Sequence, residues 1–174
     1  KTRDMIITYG IFDTVIGSIV IGQSDKGLCW LGWMTNGYKG NGLERMKAHF
    51  PKSEFVQDDG KTKPMMNDIL DAWEKDDLSS ITLDIRGTEF QKSVWDALLQ
   101  IPKGSTCSYG DIAKAIQKPA ASRAVGSAVG ENPISLLIPC HRVLQSTGAL
   151  GNYGWGVEVK EMLLCEENAL PKAA

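Results

Sequence analysis

Short apolar runs alternate with turn residues over the first third of the chain, a pattern typical of antiparallel strands. Ile, Val and Trp dominate three of these runs, and we predict strands at residues 5–12, 17–23 and 27–34. The segments between them, Asp13-Thr14 and Ser24-Asp25-Lys26-Gly27, contain residues that favour tight turns. This part of the chain therefore predicts a sheet built from consecutive strands.

Helical spacing of apolar residues replaces this alternation further along the chain. It predicts a helix at residues 43–50, which ends at Pro51 because proline cannot continue a helix. A second helix is predicted at residues 64–75, with Pro64 in its first turn, where the missing N–H has no helical partner to lose. Residues 82–85 are predicted to form a short strand.

The pattern changes after Arg86, where helices follow one another. Thr88 and Gln91 have the spacing of a capping box, and the apolar residues behind them fall largely on one helical face. Two further short helices are predicted at residues 108–116 and 120–129. The second is dense in Ala, Gly and Ser, so it can approach another surface closely. Two short helices joined by a tight turn predict a helix-turn-helix.

These elements together predict an α+β protein in two parts. Residues 1–86 are expected to form a strand-rich lobe, and residues 87–174 a mostly helical lobe that contains the helix-turn-helix. A chain of 174 residues is long enough for one full core, or for two small lobes that share an interface.

The charge balance limits the partners that the chain is expected to bind. A net charge of −2 argues against a protein that coats nucleic acid electrostatically, although it allows one small basic face. No apolar stretch approaches the roughly 18–20 residues that cross a bilayer, and the first residues lack the apolar core of a signal peptide. We therefore expect a cytoplasmic protein without a membrane partner. The cations of residues 88–123 are Lys92, Lys103, Lys114, Lys118 and Arg123.

The four cysteines are widely separated and include no Cys-x-x-Cys pair, so a zinc knuckle is not expected. With only His49 and His141 as further soft ligands, we predict no metal site and no cofactor. Since nothing indicates export, we expect free thiols in a reducing compartment. The cysteines are Cys29, Cys107, Cys140 and Cys165.

Cys140 is the candidate nucleophile because it stands directly before His141, within Ile-Pro-Cys-His-Arg-Val. A thiol is a strong nucleophile only as the thiolate, and a nearby histidine is a common way to form it. In an extended segment neighbouring side chains point in opposite directions, so a bridging water is the more plausible proton relay. The alternative is that Cys140 is a buried small hydrophobic residue.

A third group is needed to orient His141, and two glutamates are candidates. Glu166 and Glu167 end a helix predicted from residue 157, which can fold back on the site. The alternative is that both lie on a solvated helix face. Asn132 follows the Ala/Gly-rich helix, where it can cap the helix end in a left-handed conformation. Its amide can also tie that turn to the strand that carries Cys140, and the two roles are compatible.

Three further features admit a functional and a structural interpretation. Arg123 opens the small-residue helix, where it either contacts DNA or is a surface solubiliser. Tyr109 either packs against the helix below it or pushes a nucleotide aside. The glycine-interrupted loop at residues 148–156 is either a surface turn or the wall of a pocket in which backbone atoms approach a ligand.

These motifs, in this order, resemble those of the O6-alkylguanine-DNA alkyltransferase family. The resemblance covers about half of the chain, and the motifs are most similar to those of the C-terminal domain of the bacterial adaptive-response protein. The first half is only loosely similar to the family's ribonuclease-H-like N-terminal lobe. The matching text is Phe90-x-x-x-Val94-Trp95, Ile101-Pro102-x-Gly104-x-Thr106-x-Ser108-Tyr109-Gly110, Arg123-Ala124-Val125-Gly126-x-Ala128, Asn132-Pro133, Ile138-Pro139-Cys140-His141-Arg142-Val143, Gly148, Gly151-x-Tyr153, Lys160-x-x-Leu163-Leu164 and Glu167.

The resemblance implies a methylated-DNA–protein-cysteine methyltransferase that acts once. The alkyl group of O6-alkylguanine, or of O4-alkylthymine, would pass irreversibly to Cys140 after the damaged base has flipped out of the duplex. His141 would take the thiol proton through a water, and Glu167 would orient His141. Asn132 would brace the turn behind the active-site strand.

The resemblance also implies how double-stranded DNA is bound by a monomer. Tyr109 would help to rotate the nucleotide out, and Arg123 would fill the gap. The helix-turn-helix would enter the minor groove, which suits the small residues Ala124 and Gly126. The expected contacts to the flipped base come from Tyr109, the Val143 carbonyl, Tyr153 and the Gly154 backbone amide.

Some positions depart from the family's pattern. Gly130 and Glu131 replace more basic residues, so we expect weaker DNA affinity. Gly154 and Trp155 are expected to change which alkyl groups fit the pocket.

Three other functions remain open from the residues alone. The first is a protein that binds alkylated DNA without repairing it, although proteins of that kind replace the acceptor cysteine, which is present here. The second is a cysteine hydrolase, which would need an oxyanion hole that the sequence does not reveal. The third, a purely structural DNA-binding domain, leaves the Pro-Cys-His-Arg run unexplained.

Overall fold

The computed structural model describes residues 5–37 and 39–170. The chain divides into two compact units, Lys1–Arg86 and Gly87–Ala174. The described residues contain a four-stranded sheet and six α-helices, so the prediction of a mixed α+β fold is confirmed. No helix within these residues has the length and apolar character needed to cross a membrane.

The first unit is a sheet with two helices. Its elements are β1 (Ile6–Thr14), β2 (Gly17–Ser24), β3 (Gly27–Trp33), α1 (Gly42–His49), β4 (Glu54–Gln57) and α2 (Asp59–Lys75). The sheet has the order β3-β2-β1-β4, in which the first three strands are antiparallel neighbours and β4 is parallel to β1. The predicted run of consecutive strands is thus confirmed.

The two helices pack against the sheet, α1 on β2 and β3, and α2 on β1 and β2. Gly10 of β1 allows α2 to come close, since a Cβ at this position would collide with the hydroxyl of Thr62 in α2. The core residues that this packing buries completely include Ile7, Ile19, Ile21, Leu31, Met46 and Ile69.

Two expectations for this unit need correction. The helix predicted at residues 64–75 begins at Asp59, because the Asp58 side chain accepts a hydrogen bond from the Lys61 amide and caps it. Pro64 therefore lies in the second turn, not the first. The carbonyl that loses its partner belongs to Gly60, which is exposed to water.

The strand predicted at residues 82–85 is reduced to a single bridge. Leu83 pairs with Leu28 of β3, where the Leu28 amide donates to the Thr82 carbonyl and the Asp84 amide donates to the Leu28 carbonyl. The strand β4 is not predicted by the sequence, because four residues with one half-buried apolar side chain give no periodic signal.

The second unit consists of short helices around a pair of two-residue strands. Helices α3, α4 and α5 contact one another, and α6 contacts a 3₁₀ turn at Cys140–Arg142. The predicted helices of this half are confirmed, with ends shifted by a few residues. The elements are α3 (Glu89–Leu98), β5 (Cys107–Ser108), α4 (Tyr109–Ala115), α5 (Ser122–Gly130), β6 (Val143–Leu144) and α6 (Val157–Glu166).

Side-chain caps fix where the first two of these helices begin. The Thr88 hydroxyl accepts from the Gln91 amide, and the Gln91 side chain accepts from the Thr88 amide, which confirms the predicted capping box. Ser108 and Asp111 cap α4 in the same way. Each reciprocal pair satisfies two backbone donors that a helix start leaves without partners.

Candidate active site

Cys140 lies in a 3₁₀ turn that leads directly into β6, so the expectation that a strand carries it is wrong. Pro139 has φ of −81° and ψ of 65°, which is not extended, and the Cys140 amide donates to the Ile138 carbonyl at 2.7 Å. The turn bends the chain just before the thiol. Its sulfur is nearly enclosed, with 4% of the residue exposed.

Asn132 holds the segment that leads to this turn. Its side-chain Nδ2 donates to the Ile138 carbonyl at 2.7 Å, and its Oδ1 accepts from the Ile134 amide at 3.0 Å. Of the two structural roles, the tie is therefore observed. The left-handed helix cap is not, since the C-cap of α5 is Glu131 with φ of −97°, and Asn132 is not among the described residues with positive φ. Within the tied segment, Leu136 has φ of 75°, a conformation that is uncommon for a residue with a branched side chain.

His141 and Glu167 form the second part of the site. The His141 Nε2 lies 2.8 Å from Glu167 Oε2, and both side chains are completely buried. Glu166, the other candidate, is exposed. Glu167 follows the last residue of α6, so the end of this helix brings the carboxylate back to the 3₁₀ turn.

Burial lowers the pKa of His141, an effect that the hydrogen bond to Glu167 opposes only in part. The neutral imidazole is therefore favoured. Because Glu167 is an acceptor, Nε2 carries the hydrogen and Nδ1 has a free lone pair. Among the described residues this Nδ1 is buried and has no hydrogen-bond partner. Among the residues that the structure describes, no hydrogen bond joins the His141 imidazole to Cys140.

Arg142 neutralises the buried carboxylate. Its Nε and Nη2 donate to the two oxygens of Glu167 at 2.9 Å each, and its Nη1 donates to the Ile101 carbonyl at 2.8 Å. This bidentate geometry compensates the desolvation of both charges. A buried arginine is thus what allows an ionised Glu167 to face His141.

Two hydroxyl groups contact the sulfur of Cys140. The Tyr153 hydroxyl lies 3.2 Å from Sγ, and the Ser135 hydroxyl lies 4.0 Å from it. Trp155, two residues after Tyr153, donates from Nε1 to the Ser135 hydroxyl at 2.8 Å. Two residues of the glycine-interrupted loop, Tyr153 and Trp155, therefore reach the site through their side chains.

Lys160 lies beside this group and is completely buried. Its Nζ donates to the Leu150 carbonyl at 2.6 Å and lies 5.8 Å from the ring centroid of Tyr153. Burial lowers the pKa of Lys160, and the charge of Cys140 opposes this shift. The buried amino group of Lys160 therefore lies near enough to the Cys140 sulfur for the two groups to interact electrostatically.

The residues predicted to contact DNA lie in helices α4 and α5. Tyr109, the first residue of α4, is partly buried, and burial followed by the charge of Cys140 raises its pKa. A Cβ at Gly126 would lie 3.9 Å from the Tyr109 ring, so α5 passes close to this tyrosine. Arg123 and Ala124 are exposed in the first turn of α5.

Val143 and Gly154 both follow Cys140 in the chain. Val143 is buried in β6, opposite Cys107 of β5, and Gly154 is partly buried between Tyr153 and Trp155. No group of three or more His, Cys, Asp or Glu residues in the described part of the chain is arranged to hold a metal ion.

Sequence reasoning gave no role to Ser135, Arg142 or Lys160. Lys160 gave a usable signal, because it falls on the helical face of Val159, Leu163 and Leu164 and is buried with them. Arg142 and Ser135 gave none, since their partners lie 25 and 20 residues further along the chain.

Comparisons with known proteins show which family the chain resembles. A family model described as "6-O-methylguanine DNA methyltransferase, DNA binding domain" matches residues 89–169. The chain is 39% identical over 158 residues to a methylated-DNA–protein-cysteine methyltransferase of Methanosarcina acetivorans, which covers 90% of this chain and 95% of that protein. It is 38% identical over 162 residues to the regulatory protein Ada of Salmonella typhimurium, which covers 92% of this chain but 45% of that longer protein.

A solved structure is similar over almost the whole length. The crystal structure of Mycobacterium tuberculosis OGT in complex with DNA has a TM-score of 0.75 and 36% sequence identity, and the alignment covers 93% of each chain. A match of this extent at this identity shows relatedness as well as a shared fold. The chain therefore belongs to the methylated-DNA–protein-cysteine methyltransferase family.

Proposed function

We propose that this protein repairs alkylated DNA by transferring the alkyl group of O6-alkylguanine to Cys140. The observation that carries the proposal is the enclosed Cys140 thiol next to the neutral His141, whose Nε2 donates to the buried Glu167 carboxylate. The function of its relatives, stated in their names, is methyl transfer from DNA to a protein cysteine. O4-alkylthymine is proposed as a second substrate because its alkylated oxygen has the same chemistry.

The chemical step is a displacement at a saturated carbon. The Cys140 thiolate attacks the alkyl carbon, the bond from that carbon to guanine O6 breaks, and a thioether forms. Overall, the alkyl group moves from oxygen to sulfur. The thiol loses one proton, and the guanine that leaves takes up one proton, so the charges balance. None of the described groups beside the sulfur is suited to cleaving a thioether, so each molecule reacts once.

His141 is proposed to take the thiol proton through a bridging water. Its Nδ1 has the free lone pair that a base requires, while Nε2 donates to Glu167. Positive charge that develops on the imidazole is stabilised by this carboxylate, and Arg142 keeps the carboxylate ionised. Asn132 is proposed to keep the turn in place behind the thiol.

The target base must leave the duplex, because its alkylated oxygen is otherwise inaccessible to an enclosed thiol. Tyr109 is proposed to help rotate the nucleotide, and the exposed Arg123 to occupy the space it leaves. Helices α4 and α5 would act as a helix-turn-helix in the minor groove, where Ala124 and Gly126 permit close approach. Bases are not read specifically in such a contact, which suits a search for damage.

The flipped base is proposed to lie against the loop that follows β6. The Val143 carbonyl and the Gly154 amide would read its polar edge, and Tyr109 and Tyr153 would flank it. The first unit would then be the ribonuclease-H-like lobe, and the second the DNA-binding and alkyl-acceptor domain. We propose that the protein works as a monomer.

Stoichiometry tests the chemistry. Duplex containing O6-methylguanine is mixed with increasing amounts of protein, and restored guanine is measured after nuclease digestion. The proposal predicts one guanine restored for each protein molecule, with S-methylcysteine in the protein hydrolysate. Restoration that continues beyond one equivalent, or lesion binding without restoration, would contradict it.

Fluorescence tests base flipping. Duplex that carries 2-aminopurine beside the lesion is titrated with the Cys140→Ala variant, which binds without reacting. A rise in 2-aminopurine fluorescence is expected because unstacking removes quenching, and the rise should be smaller with Tyr109→Ala added. An unchanged signal on saturating binding would exclude flipping.

A further inference from the structure

Ser135 and Trp155 form a second contact with the active-site sulfur that the mechanism above does not use. Ser135 is 1% exposed and lies in the tied segment before Cys140, whereas Trp155 is 3% exposed and lies in the loop after it. The Trp155 indole N–H donates to Ser135 Oγ at 2.8 Å, and the same oxygen lies 4.0 Å from Cys140 Sγ. These are the two hydrogen-bond partners of the Ser135 hydroxyl among the described residues.

The indole determines where the Ser135 hydrogen can point. A tryptophan N–H is only a donor, so it must occupy a lone pair of Ser135 Oγ. While the thiol keeps its proton, Cys140 Sγ donates to the same Ser135 oxygen. Once the thiol has lost its proton, the Ser135 hydroxyl hydrogen points away from the indole, and the Cys140 sulfur is its remaining partner among the described residues. A donor aimed at a group favours the charged form of that group when the charge is negative.

The other groups around the sulfur are unchanged in the variants compared below. The Tyr153 hydroxyl lies 3.2 Å from Sγ, and the Lys160 cation and the Tyr109 phenol both sense the charge of Cys140. His141, the neighbouring residue, takes the proton in the proposed mechanism. The Ser135 hydroxyl is oriented by a second side chain, the Trp155 indole, just as the His141 imidazole is oriented by Glu167.

We propose that Trp155 and Ser135 are positioning residues that stabilise the Cys140 thiolate, Trp155 by directing the Ser135 hydroxyl hydrogen to the sulfur. The inference rests on the proposed role of Cys140 as alkyl acceptor. Trp155 acts only through Ser135, so removing its N–H has an effect only while the serine hydroxyl is present. This dependence separates the proposal from a role in packing.

The test is the pH profile of Cys140 alkylation by iodoacetamide, followed by mass spectrometry of the Cys140 peptide. Ser135→Ala removes one hydrogen bond to a charged group, so the midpoint of the profile should rise by about one pH unit. Trp155→Phe keeps an aromatic ring but removes the N–H, and should raise the midpoint by about half a unit. The double variant should match Ser135→Ala alone.

Trp95→Phe is the matched control. The Trp95 indole N–H also donates to a buried acceptor, the Ala128 carbonyl at 2.8 Å, but it does not contact the site. This variant should lose thermal stability and keep the wild-type midpoint. Unchanged midpoints in Ser135→Ala and Trp155→Phe, or additive shifts in the double variant, would overturn the proposal.

Iodoacetamide also separates this inference from the proposed function, because the reagent needs no DNA. Failure of the wild-type protein to accept methyl from lesion-containing duplex would end the proposed function. The midpoints of the iodoacetamide pH profiles would still decide whether Trp155 acts on Cys140 through Ser135. Should Ser135→Ala fail to fold, Trp155→Phe alone carries the test. An unchanged midpoint in Trp155→Phe then refutes the proposal that Trp155 directs the Ser135 hydroxyl.

Discussion

Cys29 and Cys140 are both buried thiols, one in each unit, but different groups surround them. Cys29 donates to a backbone carbonyl at 3.5 Å, and burial followed by the charge of Asp84 raises its pKa to about 12. Cys140 instead contacts the hydroxyls of Tyr153 and Ser135, which can donate to an anion. Enclosure alone makes a thiol a small hydrophobic residue, and the polar groups aimed at the sulfur decide whether it can also be a nucleophile.

The arginine–carboxylate pairs of the two units differ in the same way. Arg86 pairs with Asp84 at 2.7 Å, but its side chain is 41% exposed. Arg142 pairs with Glu167 at 2.9 Å while both side chains are almost completely buried. Water can replace the partner of the first arginine but not of the second, so only the second pair fixes its carboxylate against a histidine.

The largest expected effect separates the two thiols. Cys140→Ala should abolish methyl transfer from lesion-containing duplex while DNA binding, measured by fluorescence anisotropy, persists. Cys29→Ala should transfer methyl at the wild-type rate and lose about 1 kcal/mol of unfolding free energy, since it removes one buried sulfur. Loss of transfer in Cys29→Ala at intact fold would contradict the comparison.

The next largest effect separates the two carboxylates. Glu167→Gln leaves a buried Arg142 without its counter-charge, so the unfolding free energy from urea titration should fall by about 3 kcal/mol. The methyl-transfer rate of folded protein should fall about a hundredfold because His141 loses the group that stabilises its charge. Asp84→Asn changes a buried carboxylate whose arginine is 41% exposed, so it should cost less, about 1–2 kcal/mol, and leave the rate unchanged.

A smaller effect separates exposed cations of the two units. Arg123→Ala should slow transfer from duplex about tenfold, because the proposed gap-filling contact is lost, and should not slow transfer from free O6-methylguanine base. Lys75→Ala is the matched change in the first unit, where this cation is exposed and pairs with Asp71. It should leave both rates unchanged. Equal losses on duplex and free base in Arg123→Ala would refute a DNA role.

The smallest effect concerns pH and the two histidines. Burial holds the pKa of His141 in the folded state below its unfolded value of about 6.5, so between the two values the unfolded chain binds more protons. His141 therefore costs stability as the pH falls below about 6.5, by at most about 1.4 kcal/mol per pH unit. His141→Gln should reduce this pH dependence of the unfolding free energy, which urea titrations at pH 7 and pH 5.5 would measure.

His49→Gln is the control for this prediction, since it removes the other histidine of the chain. The pH dependence of its unfolding free energy is measured in the same window, and the flattening should be larger in His141→Gln. If the pH dependence flattens in His49→Gln and persists in His141→Gln, then His49 and not His141 causes it, which would contradict the prediction.

Local signals were sufficient for most of the elements. The alternation of apolar runs predicted β1 to β3, and the Thr88–Gln91 capping box fixed the start of α3, because these features depend on neighbours in sequence. Strand β4 was missed since its stability comes from parallel pairing with β1, about 50 residues away. Pro64 was misplaced because the stronger start signal of Asp58 lies several residues earlier.

The site was only partly predictable for a related reason. Cys140 and His141 are adjacent, so the pair stood out, but the residues alone left Glu166 and Glu167 as alternatives. The structure brings Glu167 to His141 because α6 ends one residue before it. Ser135 and Arg142 act through partners that are distant in sequence, and no local pattern marks such pairs.

The most direct test of the central claim follows the protein's own mass. Wild-type protein is incubated with an excess of duplex containing O6-methylguanine, and its intact mass and tryptic peptides are measured over time. The account predicts a plateau at one added methyl group per molecule, located on the peptide that contains Cys140. No added mass on folded, DNA-bound protein, or a methyl group on any other cysteine, would contradict it.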